Sequence, residues 1–282
     1  MTNPPSIQQN PIIQPTVVAA SFSRAASGYD GEPLRFLRES AKFLVASLPL
    51  HISKQVLDIA TGTGKAAILA AQAMQTNGAV LAVDIAEGML QQAKANAAQA
   101  GMKNIQFIHA SADDLMFDDN QFDCVFCSSG IYILRDIPKS VNEWVRVVKP
   151  QGTVAFSAFG EGILEPMMAM YESLLRDYGV EIISPTPLYR LNTQELCESV
   201  LNDAGLVNVN IQIAYRNYHI SSAEEWIALV KSSGFRFPLE RLDKKYMDQF
   251  IAAHKAQISQ LATEKGIHLQ VPIIVASGQK PI

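Results

Sequence analysis

Two hydrophobic rhythms alternate along the first 160 residues, short apolar runs of strand length and longer stretches with apolar positions every three to four residues. Residues 55–60, 79–83, NIQFIHA (104–110), FDCVFCSS (122–129) and TVAFSAF (153–159) are the short runs and predict five strands. Residues 33–48, 64–75, 87–100 and 138–149 carry helical spacing. Thr76-Asn77-Gly78 and Gly101 close two of these helices, Pro138 sits in the first turn of another, and Lys149-Pro150-Gln151-Gly152 reads as a turn. Strands that alternate with helices imply an α/β fold, doubly wound, with a parallel sheet covered on both faces.

The last third breaks this rhythm. Within 163–179 the apolar positions 164, 167, 168, 171, 174, 175 and 178 form one helical stripe. Asn192 with Glu195, and Ser221 with Glu224, have capping-box spacing and predict two more helix starts. Residues 207–220 and 268–279 read as strands flanking a helical insertion over 221–265, and such strands can pair antiparallel at one sheet edge. The resulting division is a flexible tail over 1–15, N-terminal lid helices over 16–48, a core over 49–160, a helical lid segment with a core helix over 161–206, and a closing strand pair over 207–282.

Composition narrows the function classes. With 48% hydrophobic and 18% charged residues and a formal charge of −4, the chain has no basic tract for nucleic acid. It has no charged-then-apolar leader and no apolar run of membrane-spanning length, so a cytoplasmic location is expected. Cys124 and Cys127 form C-x-x-C, but on a strand residues three apart point to opposite faces, which predicts buried packing rather than redox or metal chemistry.

Candidate chemistry starts at VLDIATGTGKAAILAA (56–71), an apolar strand that enters a small-residue loop and then a helix. A P-loop would need glycine at Ile59 and a hydroxyl at Ala66, so a nucleoside triphosphate is disfavoured. A dinucleotide site fits better, since Gly62-Thr63-Gly64-Lys65-Ala66-Ala67 matches G-x-G-x-x-G/A and Asp84 follows Gly64 by 20 residues. Asp58 decides between the ligands. A carboxylate just before the glycines opposes a pyrophosphate and favours a ligand carrying an ammonium and a sulfonium. A loop-capping role for Asp58 is the bland alternative.

VLDIATGTG, VLAVDIAEGML, ASADDLMF, FDCVFCSSGIYIL and EWVRVVKPQGTVAFSAF, in that order, resemble class I S-adenosylmethionine-dependent methyltransferases. The resemblance is closest to the small-molecule group with the ubiquinone/menaquinone-biosynthesis C-methyltransferases. It covers about residues 20–160 and implies a Rossmann-like, mostly parallel seven-stranded sheet with its last strand antiparallel. It further implies that Asp58 orients the methionine ammonium, that Ala60, Gly62, Thr63 and Gly64 bring backbone to the cofactor, and that Asp84 and Ile85 take the ribose. Met89 would pad the adenine, with Ser111, Ala112 and Asp113 at its edge; Ser128 would line the cleft and Tyr29 would close over it. An NAD-dependent oxidoreductase and a binding protein without transfer activity are the alternatives.

Methyl transfer from a sulfonium is an in-line displacement, so alignment matters more than a fixed catalytic triad. Where the acceptor needs a base, Tyr132 and Glu161 follow the fourth and fifth strands, while His219 lies near the end of the sixth. His109, inside a strand, is expected to be packed in the core. Met167, Met168, Tyr171 and Tyr178, with Phe235 and Phe237, form either a packing stripe or an apolar pocket for a small planar or prenylated acceptor. Oligomeric state and the acceptor atom are not legible at this level.

Overall fold

The computed structural model describes residues 14–74, 78–182 and 186–282; residues 1–13 of the tail expected over 1–15, and Thr76 and Asn77 of the turn expected at 76–78, lie outside them. A seven-stranded sheet runs in the order β3-β2-β1-β4-β5-β9-β6. Its strands are β1 (Gln55–Ile59), β2 (Ala79–Asp84), β3 (Ile105–His109), β4 (Phe122–Ser128), β5 (Val148–Phe159), β6 (Val207–Tyr215) and β9 (Pro272–Gln279). Strands β1 to β5 are mutually parallel, and β9 inserts antiparallel between β5 and β6. The central strands β1 and β4 are buried nearly end to end, as their unbroken apolar runs require. β3 is an edge strand, so His109 is exposed rather than packed in the core, its Nε2 2.9 Å from the Ile85 carbonyl.

Helices α1 (Pro15–Ala25), α2 (Arg35–Ala46), α3 (Lys65–Ala73), α4 (Glu87–Gln99), α5 (Ile137–Val147), α6 (Met167–Asp177) and α7 (Gln194–Asp203) surround the sheet. A two-stranded sheet of β7 (Tyr218–Ile220) and β8 (Ile267–Leu269) brackets the insertion, which holds α8 (Ala223–Ser232), α9 (Arg236–Glu240) and α10 (Met247–Ser259). None of the described helices is long and apolar enough to cross a membrane.

Four local expectations are corrected. The strands predicted over 207–220 and 268–279 each break in two. Pro272 has no N–H for the ladder, and the Asn217 side chain accepts the Val271 N–H at 2.8 Å in place of a strand partner. The turn at 149–152 is instead an irregularity inside β5, with Gln151 at φ 63° and a register shift against β4. Thr193 rather than Asn192 caps α7, accepting the Leu196 N–H. Ser222 rather than Ser221 caps α8, and Ser221 bonds the Glu225 carboxylate instead. Cys124 and Cys127 are both buried and free.

Gly64 is held at φ 82° at the mouth of α3, and a Cβ there would lie 3.1 Å from the Ala93 Cβ on α4. Gly64→Ala should therefore destabilise the protein by about 1–3 kcal/mol, from left-handed strain plus crowding. Thermal unfolding of this variant reads the effect, and an unchanged midpoint would show that the α3–α4 contact yields freely.

Candidate active site

Three strands deliver the sequence-predicted residues to one edge of the sheet. Asp58 sits near the end of β1, Asp84 ends β2 and Ser128 ends β4, at the carboxyl edge where parallel α/β sheets hold ligands. Between β1 and α3 the loop uses left-handed backbone at Ala60 (φ 53°), Gly62 (φ 56°) and Gly64. A Cβ on Gly62 would meet only Tyr29, at 4.0 Å, so this face is open to a ligand. Ala60 takes the same conformation without glycine's freedom, a strain of the kind stored at functional sites.

Asp58 is fully buried. Its Oδ2 accepts the Thr61 hydroxyl at 2.7 Å, while its Oδ1 has no hydrogen-bond partner. Burial, reinforced by the nearby Asp84 charge, pushes this carboxyl up to about 8, against the Thr61 bond and the Ala67 amide, which favour the charged form. Asp84 accepts the Gly62 N–H through Oδ2 and the Ala86 N–H through Oδ1, both at 2.8 Å. Burial raises it too, opposed by those backbone bonds. A carboxylate has about four lone-pair sites, so Asp84 keeps acceptor capacity toward the cleft.

The cleft above this loop encloses about 1120 Å³, mouth included. Tyr29, Ala60, Gly62, Thr63, Asp84, Ile85, Met89, Ser111, Ala112, Asp113 and Ser128 all line it; Asp58 and Gly64 sit behind its wall. The Ser111 hydroxyl is turned to Asp113 at 2.5 Å, and Asp113 faces Lys139 at 3.5 Å. A second cavity of about 1240 Å³ adjoins the first and is walled mainly by aromatic and aliphatic side chains. Val18, Phe22, Tyr29, Leu37, Ser129 and Ile133 line both. Met168, Tyr171, Phe235 and Phe237 face the second cavity, while Met167 is buried in the core and Tyr178 packs edge-on against Phe250. The stripe on α6 therefore serves both packing and pocket.

Of the proton-transfer candidates, only Tyr132 lines a cavity, the second. Glu161 and His219 are exposed and line neither; His219 instead packs against His268 across β7 and β8, ring centroids 5.1 Å apart and planes tilted by 58°. Nearness to a strand end misplaces them, because β7 has left the main sheet and residue 161 turns toward solvent.

Asp30 is the residue that reasoning along the sequence misses. Its carboxylate accepts the Thr63 hydroxyl at 2.7 Å and the Asn96 amide at 2.7 Å, and it pairs with the Lys65 ammonium at 2.6 Å. It thus pins the segment after α1 onto the glycine loop and places Tyr29 over Gly62. Its adjacency to Tyr29 was the available signal; Asn96, one polar residue among many on α4, gave none.

Residues 36–181 match the ubiE/COQ5 methyltransferase family. The ubiquinone/menaquinone biosynthesis C-methyltransferase UbiE of Proteus mirabilis is 27% identical over 219 residues, 72% of this chain and 86% of that protein. Among solved structures, the YcgJ protein of Bacillus subtilis has a similar fold, with a TM-score of 0.59 at 20% identity over 86% of this chain and 99% of that one. Phosphoethanolamine N-methyltransferase 2 of Haemonchus contortus, solved with phosphomonomethylethanolamine and S-adenosylhomocysteine, gives 0.54 at 19% identity over 86% of this chain and 53% of its own.

Proposed function

Since the chain belongs to the ubiE/COQ5 methyltransferase family, which uses S-adenosylmethionine, we propose that the glycine-loop cleft holds that cofactor and the apolar cavity beside it takes a small methyl acceptor. One observation carries the reading: the two cavities share six lining residues, so a donor in one and an acceptor in the other lie side by side.

The cradle suits such a cofactor. The orphaned Asp58 Oδ1 belongs to a buried carboxyl that gains from ionising beside a cation, and the methionine ammonium, directly or through water, supplies one. Asp84 has acceptor sites left for ribose hydroxyls, with Ile85 beside it, and Met89 and Ala112 offer apolar surface to a purine. Gly62 and Ala60 admit backbone contact, and Ser111, Asp113 and Ser128 provide polar edges. Thr63 departs from the direct contact expected of it: its hydroxyl is committed to Asp30, so it holds the lid segment instead.

The bound cofactor supplies an already activated methyl group; the chain has to align the acceptor and keep water out. Tyr29 and Phe22, which line both cavities, flank the place where the two ligands would meet. The second cavity offers the acceptor aromatic and aliphatic walls, so the acceptor is apolar or aromatic. Whether oxygen, nitrogen or carbon is methylated is left to the acceptor.

Asp84→Ala should weaken S-adenosylhomocysteine binding by about 1–3 kcal/mol, roughly 5- to 150-fold, because ribose donors and the Gly62 and Ala86 amides lose their acceptor. Titration calorimetry of the wild type and the variant decides this. Equal affinities would place the ribose elsewhere.

A further inference from the structure

The wall between the two cavities carries proton donors and no base. Tyr29 contributes to both cavities, and Tyr132 faces the second from the turn after β4. Among the described residues neither phenol hydroxyl has a hydrogen-bond partner, although Tyr132 is only 9% exposed. Both side chains line the second cavity, so each hydroxyl is free to donate to a ligand held there. Burial holds both phenols well above their ordinary range, and each feels a further neighbour, Asp84 and Asp30 for Tyr29, Tyr29 itself for Tyr132. Both therefore stay protonated at neutral pH, and both line the second cavity.

None of the six residues of the shared wall is suited to take a proton. None of the five histidines lines either cavity. Glu172 and Glu181 line the second cavity, as Tyr132 does, but both are taken up by neighbours. Glu172 is engaged by Thr186 at 2.6 Å and Arg176 at 3.1 Å, and Glu181 faces Arg241 at 3.7 Å. Residues 1–13, 75–77 and 183–185 contain no Asp, Glu, His or Lys.

We propose that the acceptor arrives with its nucleophilic atom already ionised, as an apolar molecule bearing an acidic enol, phenol or thiol, and that the Tyr29 and Tyr132 hydroxyls hold this anion in the second cavity, beside the shared wall. This rests on the reading of the second cavity as the acceptor site. The acceptor's proton goes to water before binding. Its lone pair forms the new bond to the methyl carbon, and the electron pair of the broken carbon–sulfur bond stays on sulfur. Anion and sulfonium cancel as the bond forms, so no charge is left in the apolar cavity. Removing an anion from water into that cavity is strongly unfavourable without donors, and the two phenols offset it.

The test uses 4-nitrophenol and 4-nitrothiophenol, whose ionised forms absorb visible light, added to the full-length protein loaded with the cationic cofactor analogue sinefungin. The bound probes are expected to titrate at least one pH unit lower than in water, with Tyr132→Phe and Tyr29→Phe each reversing the shift by about tenfold in the ionisation constant. Probes bound in the neutral form, or no probe bound by the loaded protein, overturn the proposal. So does a shift untouched in both variants. Sinefungin binding, followed calorimetrically in the same samples, separates the outcomes: its absence in the wild type defeats the cofactor reading itself, and its persistence in a variant shows that the variant is folded.

Discussion

Binding of S-adenosylhomocysteine is expected to strengthen by up to tenfold for each pH unit between 6 and 8, and to release a proton at neutral pH. The cause is Asp58. Its carboxyl is fully buried with one oxygen unpaired, and it ionises only near pH 8 in the ligand-free protein. Pairing with the ammonium of the ligand requires the carboxylate, so below pH 8 each unit of acidity charges the binding equilibrium with the cost of removing that proton. The empty protein follows the opposite trend. A folded-state value raised above the ordinary Asp range gives stability that is fully present below that range and is lost as pH rises through about 8. The span is on the order of 5 kcal/mol at its upper limit. Asp58→Asn keeps an acceptor for the Thr61 hydroxyl but carries no charge. It should raise the thermal midpoint of the empty protein at pH 8 and weaken the ligand severalfold or more. Calorimetry in buffers of different ionisation enthalpy counts the released proton; affinity that does not vary from pH 6 to 8 would remove Asp58 from cofactor binding.

Trp226→Ala should cost about 3–5 kcal/mol, the largest effect expected of any single truncation in the helical insertion. The indole is fully buried, and its Nε1–H donates to His254 Nε2 at 2.8 Å. The other ring nitrogen of His254 lies 3.3 Å from Gln257 Oε1, which makes His254 the Nδ1–H tautomer. Tyr171 and Phe250 pack their rings on that imidazole, and the Tyr171 hydroxyl donates to the Phe235 carbonyl at 2.8 Å. The cluster therefore joins α6, α8 and α10 and backs the wall of the second cavity. The variant should keep its cofactor affinity, because the glycine loop lies on another part of the sheet, and lose acceptor turnover. Differential scanning calorimetry should show a midpoint lowered by roughly 6–20 °C at about 2–4 °C per kcal/mol. A midpoint within 2 °C of wild type would mean the insertion contributes little to the cooperative unit.

The same cluster carries an acid sensitivity. Burial lowers His254, with the Gln257 bond opposing, and protonation of Nε2 would set two hydrogens against each other at the indole. A folded value below the ordinary His value means the stabilisation is complete above about 6.5 and is lost as pH falls through the lowered value. In the wild type, acid thus loosens the lid cluster while it favours the protonated Asp58.

Local chemistry alone determined the alternating strands and helices, the left-handed glycine loop and the two carboxylates at the ends of β1 and β2, because each depends on residues near one another in the chain. The pattern also fixed the parallel core, since runs apolar on every side can only lie between two layers. Tertiary structure decided what depends on residues far apart. Asp30 reaches Thr63 and Asn96 across 33 and 66 positions. The second cavity draws its walls from α1, the turn after β4, α6 and α9. The same long-range packing left Glu161 and His219 in solvent, and left the hydroxyls of half-buried Tyr29 and buried Tyr132 without a partner among the described residues. Burial and proximity set the state of a proton, and neither is written in local sequence.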